Sequence, residues 1–232
     1  KREEDLQDVP VVVTAIGQQL LQDAGIENIK DLQILTPGLT VTSTSSEAST
    51  TARIRGVGTV GDNIGLESSV LVNVDGVYRP RNGVGFGDLG ELQRIEVLKG
   101  PQGTLFGKNA SAGVINIVTA APDFDFGVNT ELTGGNYGAF GGSLAINSPI
   151  IPDVLAGNLY MAKRKRDGFY DVGTGPGPRA EKEDNDLGYF TVRGQLLAEP
   201  TPELTARLIL DYTERDENCC AATQLFVGQA TN

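Results

Sequence analysis

Two glycine-rich stretches have the spacing of known chemistry. Gly56-Val57-Gly58-Thr59-Val60-Gly61 has the G-x-G-x-x-G form of a dinucleotide-binding turn, in which the amides at a helix N-terminus face a pyrophosphate. The residues that follow, Gly61-Asp62-Asn63-Ile64-Gly65, break helices, so those amides would have no helix behind them. Gly103-Thr104-Leu105-Phe106-Gly107-Lys108 approaches a phosphate-binding loop. It is one spacer short and carries Asn109 where a Ser or Thr would hold magnesium. Nucleophilic and metal chemistry fare no better. The chain has no His, which excludes a His-centred triad, a Cys/His zinc site and His-ligated haem within it. Its serines lack a base, its acids are scattered, and Asn109-Ala110-Ser111 reads as a polar loop rather than a glycosylation acceptor. No catalytic residue, metal ligand or cofactor is expected, and the chain does not read as an enzyme.

Composition narrows the class further. The 232 residues include 30 Gly, with 39% hydrophobic and only 6% aromatic side chains, which favours turn-rich β structure over a helical bundle. A net charge of −11 is opposite to the basic footprint of a nucleic-acid-binding domain, so DNA and RNA are not expected partners. No apolar run is long enough for a membrane-spanning helix, but β-barrel strands carry a much weaker hydropathy signal and stay open. The start, Lys1 to Asp5, has neither Met nor a signal-peptide core and reads as mature or truncated. Cys219 and Cys220 are adjacent and bond each other only with strain, so pairing with cysteines beyond Asn232 is expected.

The elements that must position these residues change character near Ala121-Pro122-Asp123. Before it, short helical and strand signals alternate. Val9 to Thr14 reads as a strand; Leu20, Leu21 and Ala24 share a helical face that stops at Gly25. Asn28 can cap a second small helix with Ile29, Leu32 and Leu35 on its apolar stripe, ended by Thr36-Pro37-Gly38. Further strands are expected at Thr51 to Arg55, Val70 to Val74 turning at Asp75-Gly76 into Val77-Tyr78, Ile95 to Leu98, and Val114 to Thr119. The Ser/Thr stretch from Thr40 to Thr51 and the glycine-rich stretches 56–65 and 83–90 are expected to be loops.

After the change the period is two. Val128, Thr130 and Leu132 oppose Asn129, Glu131 and Thr133, and Phe140, Leu144 and Ile146 oppose Gly141, Ser143 and Asn147 across a tight turn at 134–138. A third segment runs from Leu155 to Tyr170. A fourth sets Phe190, Val192 and Leu196 against Tyr189, Arg193 and Gln195, and a fifth sets Leu204, Ala206, Leu208, Leu210 and Tyr212 against Thr205, Arg207, Asp211 and Thr213. Strands of ~10 residues with one apolar and one polar face are the transmembrane β-barrel pattern. The links at 147–154 and 199–203 are short and that at 171–186 is long, as when short turns face the periplasm and long loops the exterior. Lys163 to Arg166, at a strand's outer end, alternates faces; interfacial snorkelling is the plain reading, and the other puts half of the charges near lipopolysaccharide phosphates and half in the lumen.

The stretch from Asp88 to Pro122, DLGELQRIEVLKGPQGTLFGKNASAGVINIVTAAP, closely resembles the plug domain of TonB-dependent outer-membrane receptors. Asp8 to Thr14, Arg53 to Gly58 and Val72 to Tyr78 extend the resemblance over about residues 8 to 122. It implies an α+β plug domain, 1–122, followed by the first antiparallel transmembrane β-barrel strands, 123–232, about five from a complete barrel of roughly 22. In such a plug, charged groups such as Arg53, Arg55, Arg94, Glu96 and Lys99 are expected to pair with the inner barrel wall, since a charge is buried only with a partner. Loops 58–67 and 79–87 look like apical plug loops at the ligand floor. Asp62, Asn63, Arg79, Arg81, Asn82 and Phe86 are then ligand-contact candidates, the guanidiniums suiting an anionic ferric chelate and Phe86 a stacking surface.

The resemblance implies active uptake in the outer membrane of a Gram-negative bacterium. The nutrient would be scarce, most often an iron–siderophore complex, and the energy would come from TonB through a segment upstream of Lys1. Outer-membrane lipid and lipopolysaccharide would surround the wall. The competing reading is a soluble periplasmic binding module that uses the plug fold without transport.

Overall fold

The computed structural model describes residues 12–26, 29–43, 50–59, 66–79, 90–171 and 183–218. In chain order these form β1 (Val12–Gly17), α1 (Gln18–Asp23), α2 (Leu32–Leu35), β2 (Leu39–Ser43), β3 (Thr50–Ile54), β4 (Val57–Gly58), β5 (Val70–Val74), β6 (Val77–Arg79), β7 (Leu92–Lys99), α3 (Gly103–Phe106) and β8 (Gly113–Thr119). Then come β9 (Gly127–Gly134), β10 (Phe140–Ile151), β11 (Leu155–Arg166), β12 (Tyr170–Asp171), β13 (Glu183–Asp184), β14 (Leu187–Thr201) and β15 (Leu204–Arg215).

The first part is built on a five-stranded mixed sheet, ordered β1-β7-β8-β5-β6, in which only β5 and β8 run parallel. These two strands read as near-continuous apolar runs because both of their faces are covered. On one face Val70, Val72, Ile115, Ile117, Ile95 and Val97 pack with Leu21 and Leu32 of the helices and Ile54 of β3. On the other, Leu71, Leu98 and Val114 pack with Ala110, Tyr78 and Phe106. Asn73 and Asn116 are buried among them. Asn73 donates to Asn116 at 2.7 Å, Asn116 donates to Glu96 at 2.8 Å, and Arg94 closes the row on Glu96 at 2.7 Å. The polar groups cross the sheet as a satisfied chain, the condition on which they can be buried.

Two hairpins turn where two successive residues take positive φ, Arg55 (54°) with Gly56 (80°) and Asp75 (49°) with Gly76 (85°). That is the type I′ geometry whose twist matches the flanking strands. The first hairpin corrects the reading of 56–65 as loop throughout, because Val57 and Gly58 return to pair with Ile54 and Arg53. The Ser/Thr stretch is also corrected at its start: Leu39–Ser43 is a strand paired with Thr50–Ile54. Leu39 and Val41 are buried while Thr40 and Thr42 are exposed, and the β-branched threonines suit a half-buried pleat.

The second part is an antiparallel meander, ordered β15-β14-β11-β10-β9. All five expected segments are strands, and β10, β11 and β15 reach 12 residues and β14 reaches 15. The links are shorter than the sequence suggests, for β10 runs on to Ile151 and β14 to Thr201. Register shifts beside Pro149 and Pro200 absorb the missing amide donors as bulges, so the strands continue past both prolines. The third segment divides, β11 ending at Arg166 and Tyr170 beginning β12.

Burial alternates along the meander. Ala156, Asn158, Tyr160, Ala162 and Arg164 of β11 and Thr191, Arg193 and Gln195 of β14 are buried toward the plug side, while Leu159, Met161, Lys163 and Lys165 face out. Among the described residues the sheet does not close, and its edge strands are β9 and β15.

Candidate functional site: the seam between plug and wall

The β5–β6 hairpin turns against the inner face of β14 and β15. At its corner, the left-handed backbone of Asp75 aims the carboxylate at the end of β8, where Thr119 donates to it through its amide (2.9 Å) and its hydroxyl (2.8 Å). The Arg207 guanidinium lies 3.9 Å from the same carboxylate, whose side chain is only 7% exposed. Arg207 also donates to the Thr119 hydroxyl at 2.9 Å, to the Thr119 and Ala120 carbonyls at 3.3 Å each, and through Nε to Gln195 at 3.0 Å. Gln195 in turn donates to the Ala120 carbonyl at 3.2 Å. A buried carboxylate is thus neutralised by a cation and saturated by donors, as burial of charge requires. Arg79, further along β6, meets Asp211 of β15 at 2.9 Å. Arg193, buried in β14, is paired in register with Asp211.

On the other side of the plug the contact is looser. Glu91 accepts a hydrogen bond from Asn129 of β9, and Gly90 packs so close to the Tyr160 ring that a Cβ there would stand 3.2 Å from it. Around them lies a cleft of about 460 Å³ between α1 and the wall, with Gln18, Glu91, Asn129, Glu131, Tyr160 and Arg164 on its surface. The Asp123 carboxylate ties the connecting segment to Asn147 of β10 at 2.6 Å.

A third cluster joins residues that flank the two glycine-rich stretches in sequence. Lys108 donates to Glu67 at 2.9 Å, and Asn109, at φ 69°, donates to Glu67 (2.7 Å) and to the Tyr78 hydroxyl (2.6 Å). Thr59 and Ser69 share a hydroxyl contact at 2.9 Å. The hydrogen bond from Lys108, then that from Asn109, holds the Glu67 carboxyl below its ordinary range, and the same bond raises Lys108 above its own. The lysine of the apparent phosphate loop is therefore occupied by a carboxylate. Gly103 opens only the four-residue α3, and Gly56 and Gly58 belong to a hairpin, so neither glycine motif starts a helix long enough to bind phosphate.

Of the ligand-contact candidates, Asp62, Asn63, Arg81, Asn82 and Phe86 lie outside the described residues, as do Cys219 and Cys220. Arg79 is described and is paired with Asp211. Of the charges expected to meet the wall, Arg94 and Glu96 bond each other, Lys99 donates to the Pro37 carbonyl at 2.8 Å, Arg53 is half-buried in β3 and Arg55 is exposed at its turn. Side chains of Asp75, Arg79, Glu91 and Thr119 and the Ala120 carbonyl contact the wall among the described residues. Their partners Asn129, Arg207 and Asp211 had a signal in the sequence, since each is a polar residue on the inward parity of its strand.

The profile of the TonB-dependent Receptor Plug Domain matches residues 5–114. The pesticin receptor of Yersinia pestis is 30% identical over 155 residues, 67% of this chain and 23% of that protein. The catecholate siderophore receptor Fiu of Escherichia coli K12 is 29% identical over 168 residues, 68% of this chain and 20% of the relative. The crystal structure of the ferric yersiniabactin uptake receptor FyuA from Yersinia pestis superposes with a TM-score of 0.69 at 26% identity, covering 82% of this chain and 29% of that one. The chain thus spans about a quarter of the length of the relatives it matches. A plug sheet seated on the polar inner face of outward-apolar antiparallel strands, together with these likenesses, places the chain in the family of TonB-dependent outer-membrane receptors, with a plug domain followed by strands of an incomplete barrel.

Proposed function

We propose that this chain supplies the plug and first wall strands of a receptor that imports a scarce nutrient, an iron–siderophore complex, with energy delivered by TonB. The seam carries the reading. A plug that must move aside needs contacts that are strong in sum but polar and exchangeable with water, and the Asp75–Thr119–Arg207–Gln195 cluster is of that kind. The names of Fiu and FyuA, a catecholate siderophore receptor and a ferric yersiniabactin uptake receptor, support an iron chelate as cargo.

The plug is taken as residues 1–122 and the wall as 123–232, in keeping with the passage from β8, ending at Thr119, to β9, starting at Gly127. Asp62, Asn63, Arg81, Asn82 and Phe86, with Arg79 at the base of the second loop, are the proposed ligand contacts. Arg53, Arg55, Arg94, Glu96 and Lys99 are proposed to meet the rest of the wall, for the row ending in Arg94 and Glu96 leaves both only partly covered. Deleting the gene should abolish growth on one or more ferric siderophores under iron restriction and uptake of the radiolabelled complex. Loss of TonB or collapse of the proton gradient should leave surface binding intact and stop uptake. A soluble, folded periplasmic product that binds the chelate without importing it would overturn the reading.

A further inference from the structure

The cations of the wall strands sort by face. Outward positions of β11 carry Lys163 and Lys165, whereas the inward positions of β11, β14 and β15 carry Arg164, Arg166, Arg193, Arg207 and Arg215 and no lysine. Against them stand the inward carboxylates Glu131 of β9 and Asp211 of β15. The lumen face above the short turns is therefore cationic, in a chain whose net charge is −11. A guanidinium is weakly hydrated and presents a planar fork of donors, so arginine is the cation suited to oxygen anions that must leave water.

Register spaces these guanidiniums evenly. Near the outer end of β14, Tyr189 pairs with Arg164 on one side and Arg215 on the other; Arg193 follows four residues on, and four beyond it Leu197 pairs with Arg207. The arginines thus descend the inner wall in three steps. Each step is roughly 13 Å of strand, or about 10 Å along the membrane normal at the tilt of a barrel strand. The β14 side chains between the steps, Thr191 and Gln195, are polar and uncharged, and Thr191 shares a hydroxyl contact with Thr213 at 3.1 Å.

At the top step the carboxylates come from the wall side: Glu131 stands 3.4 Å from Arg164 and Glu217 3.3 Å from Arg215. The lower steps differ, because the plug reaches them. Arg193 lies among Asp75, Asp211, Arg79 and Arg207, and Arg207 has Asp75 at 3.9 Å while Gln195 holds its Nε from the wall at 3.0 Å. Asp75 is carried on the turn of the β5–β6 hairpin. Withdrawal of that hairpin would take Asp75 and Arg79 away together and leave Arg193 and Arg207 sharing Asp211. We propose that Arg164 with Arg215, then Arg193, then Arg207 form a descending binding track for the anionic oxygens of the imported chelate, and that Asp75 of the plug fills the lowest seat until the hairpin withdraws. Several anion seats in series let a ligand enter each and still leave it. The inference rests on the transport reading and sharpens its cargo to an anionic chelate.

The test uses the whole receptor containing this chain, in cells stripped of other iron receptors and given radioiron as a ferric tricatecholate, ferric citrate or a neutral ferric trihydroxamate. An anionic chelate should enter about tenfold faster than the neutral one. Arg193→Gln should lower the maximal uptake rate about tenfold with half-saturation unchanged, and Arg193→Lys, which keeps the charge but not the fork, about threefold. Unaltered exclusion of bulky antibiotics checks that the plug still seats; if Arg193→Gln leaks, Arg193→Lys is read in its place. The seat itself is tested without transport. Asp75→Gly keeps the turn, since glycine accepts positive φ, and empties the seat. Formate should then raise the denaturant midpoint of the plug above that in chloride of equal ionic strength, and should fail to do so when Arg207→Gln is added. Equal or faster entry of the neutral chelate, an uptake rate untouched by the Arg193 substitutions, or no specific effect of formate would overturn the track. Entry of no chelate at all would instead defeat the transport reading, so the two failures are distinct.

Discussion

Arg79 and Asp211, 132 positions apart in the chain, meet at 2.9 Å and join the β5–β6 hairpin of the plug to β15 of the wall. The pair is partly open to water, with side chains 24% and 33% exposed, so its strength is that of a screened surface contact. A double-mutant cycle with Arg79→Ala and Asp211→Ala should give a coupling of about 0.5–1 kcal/mol, read from denaturant unfolding of the plug in the intact receptor. Strictly additive single effects would mean the pair does not hold the plug.

Arg207 should matter more than Arg79. Removing it takes a donor from the Thr119 and Ala120 carbonyls and from Gln195, and leaves the Asp75 carboxylate buried without its nearest cation. Arg207→Ala is expected to cost about 2–4 kcal/mol and to sensitise cells to bulky antibiotics that the seated plug excludes. Arg207→Lys should restore only part of this, since a single ammonium cannot span the planar set of acceptors.

The brace at Glu67 should be pH-dependent at both ends of the scale. A carboxyl held below its ordinary value of 4.5 favours the folded state above that value and loses the advantage as pH falls through the lowered one. Lys108, raised above 10.5, contributes fully below that value and loses its contribution as pH rises through the raised one. A spin label at Leu66 should therefore be most immobile across the neutral range and gain mobility below about pH 4.5. Glu67→Gln should remove the acid step and leave the label mobile at neutral pH. An unchanged acid step in that variant would assign it elsewhere.

Two glycines should respond oppositely to alanine. At Gly113 a Cβ would fall within 2.6 Å of Ile54 Cδ1 and against the Leu98 carbonyl, both fixed in the plug core. Gly113→Ala is expected to destabilise the plug by about 2–4 kcal/mol. Gly194→Ala, with nothing within 4 Å of the new methyl, should change stability by less than about 0.5 kcal/mol. Denaturant midpoints of the two variants decide it.

Much of this architecture is legible before folding. Asp75-Gly76 between two β-rich runs specifies a hairpin because a type I′ turn needs positive φ at both residues, and both have it. The wall strands are legible from parity, since each must keep one face apolar over its whole length. Leu39–Ser43 escapes notice when composition outweighs period: its threonines look like loop residues, yet their alternation with Leu39 and Val41 is that of a strand. The ends of β10 and β14 are obscured by Pro149 and Pro200, which look like breaks until bulges take them up.

The seam is a different matter. That Arg207 and Asp211 face inward follows from the two-residue period, but that one finds Asp75 and Thr119 and the other Arg79 depends on where the plug rests against the wall. Alternation, turn residues and family motifs are local properties of the chain, so the sequence by itself determined the two-part fold and the apolar outer face. The partners of each buried charge and the clamp on β14 and β15 were decided only by tertiary structure. They arise from contacts between separate strands and sheets, whose register and docking no short segment encodes.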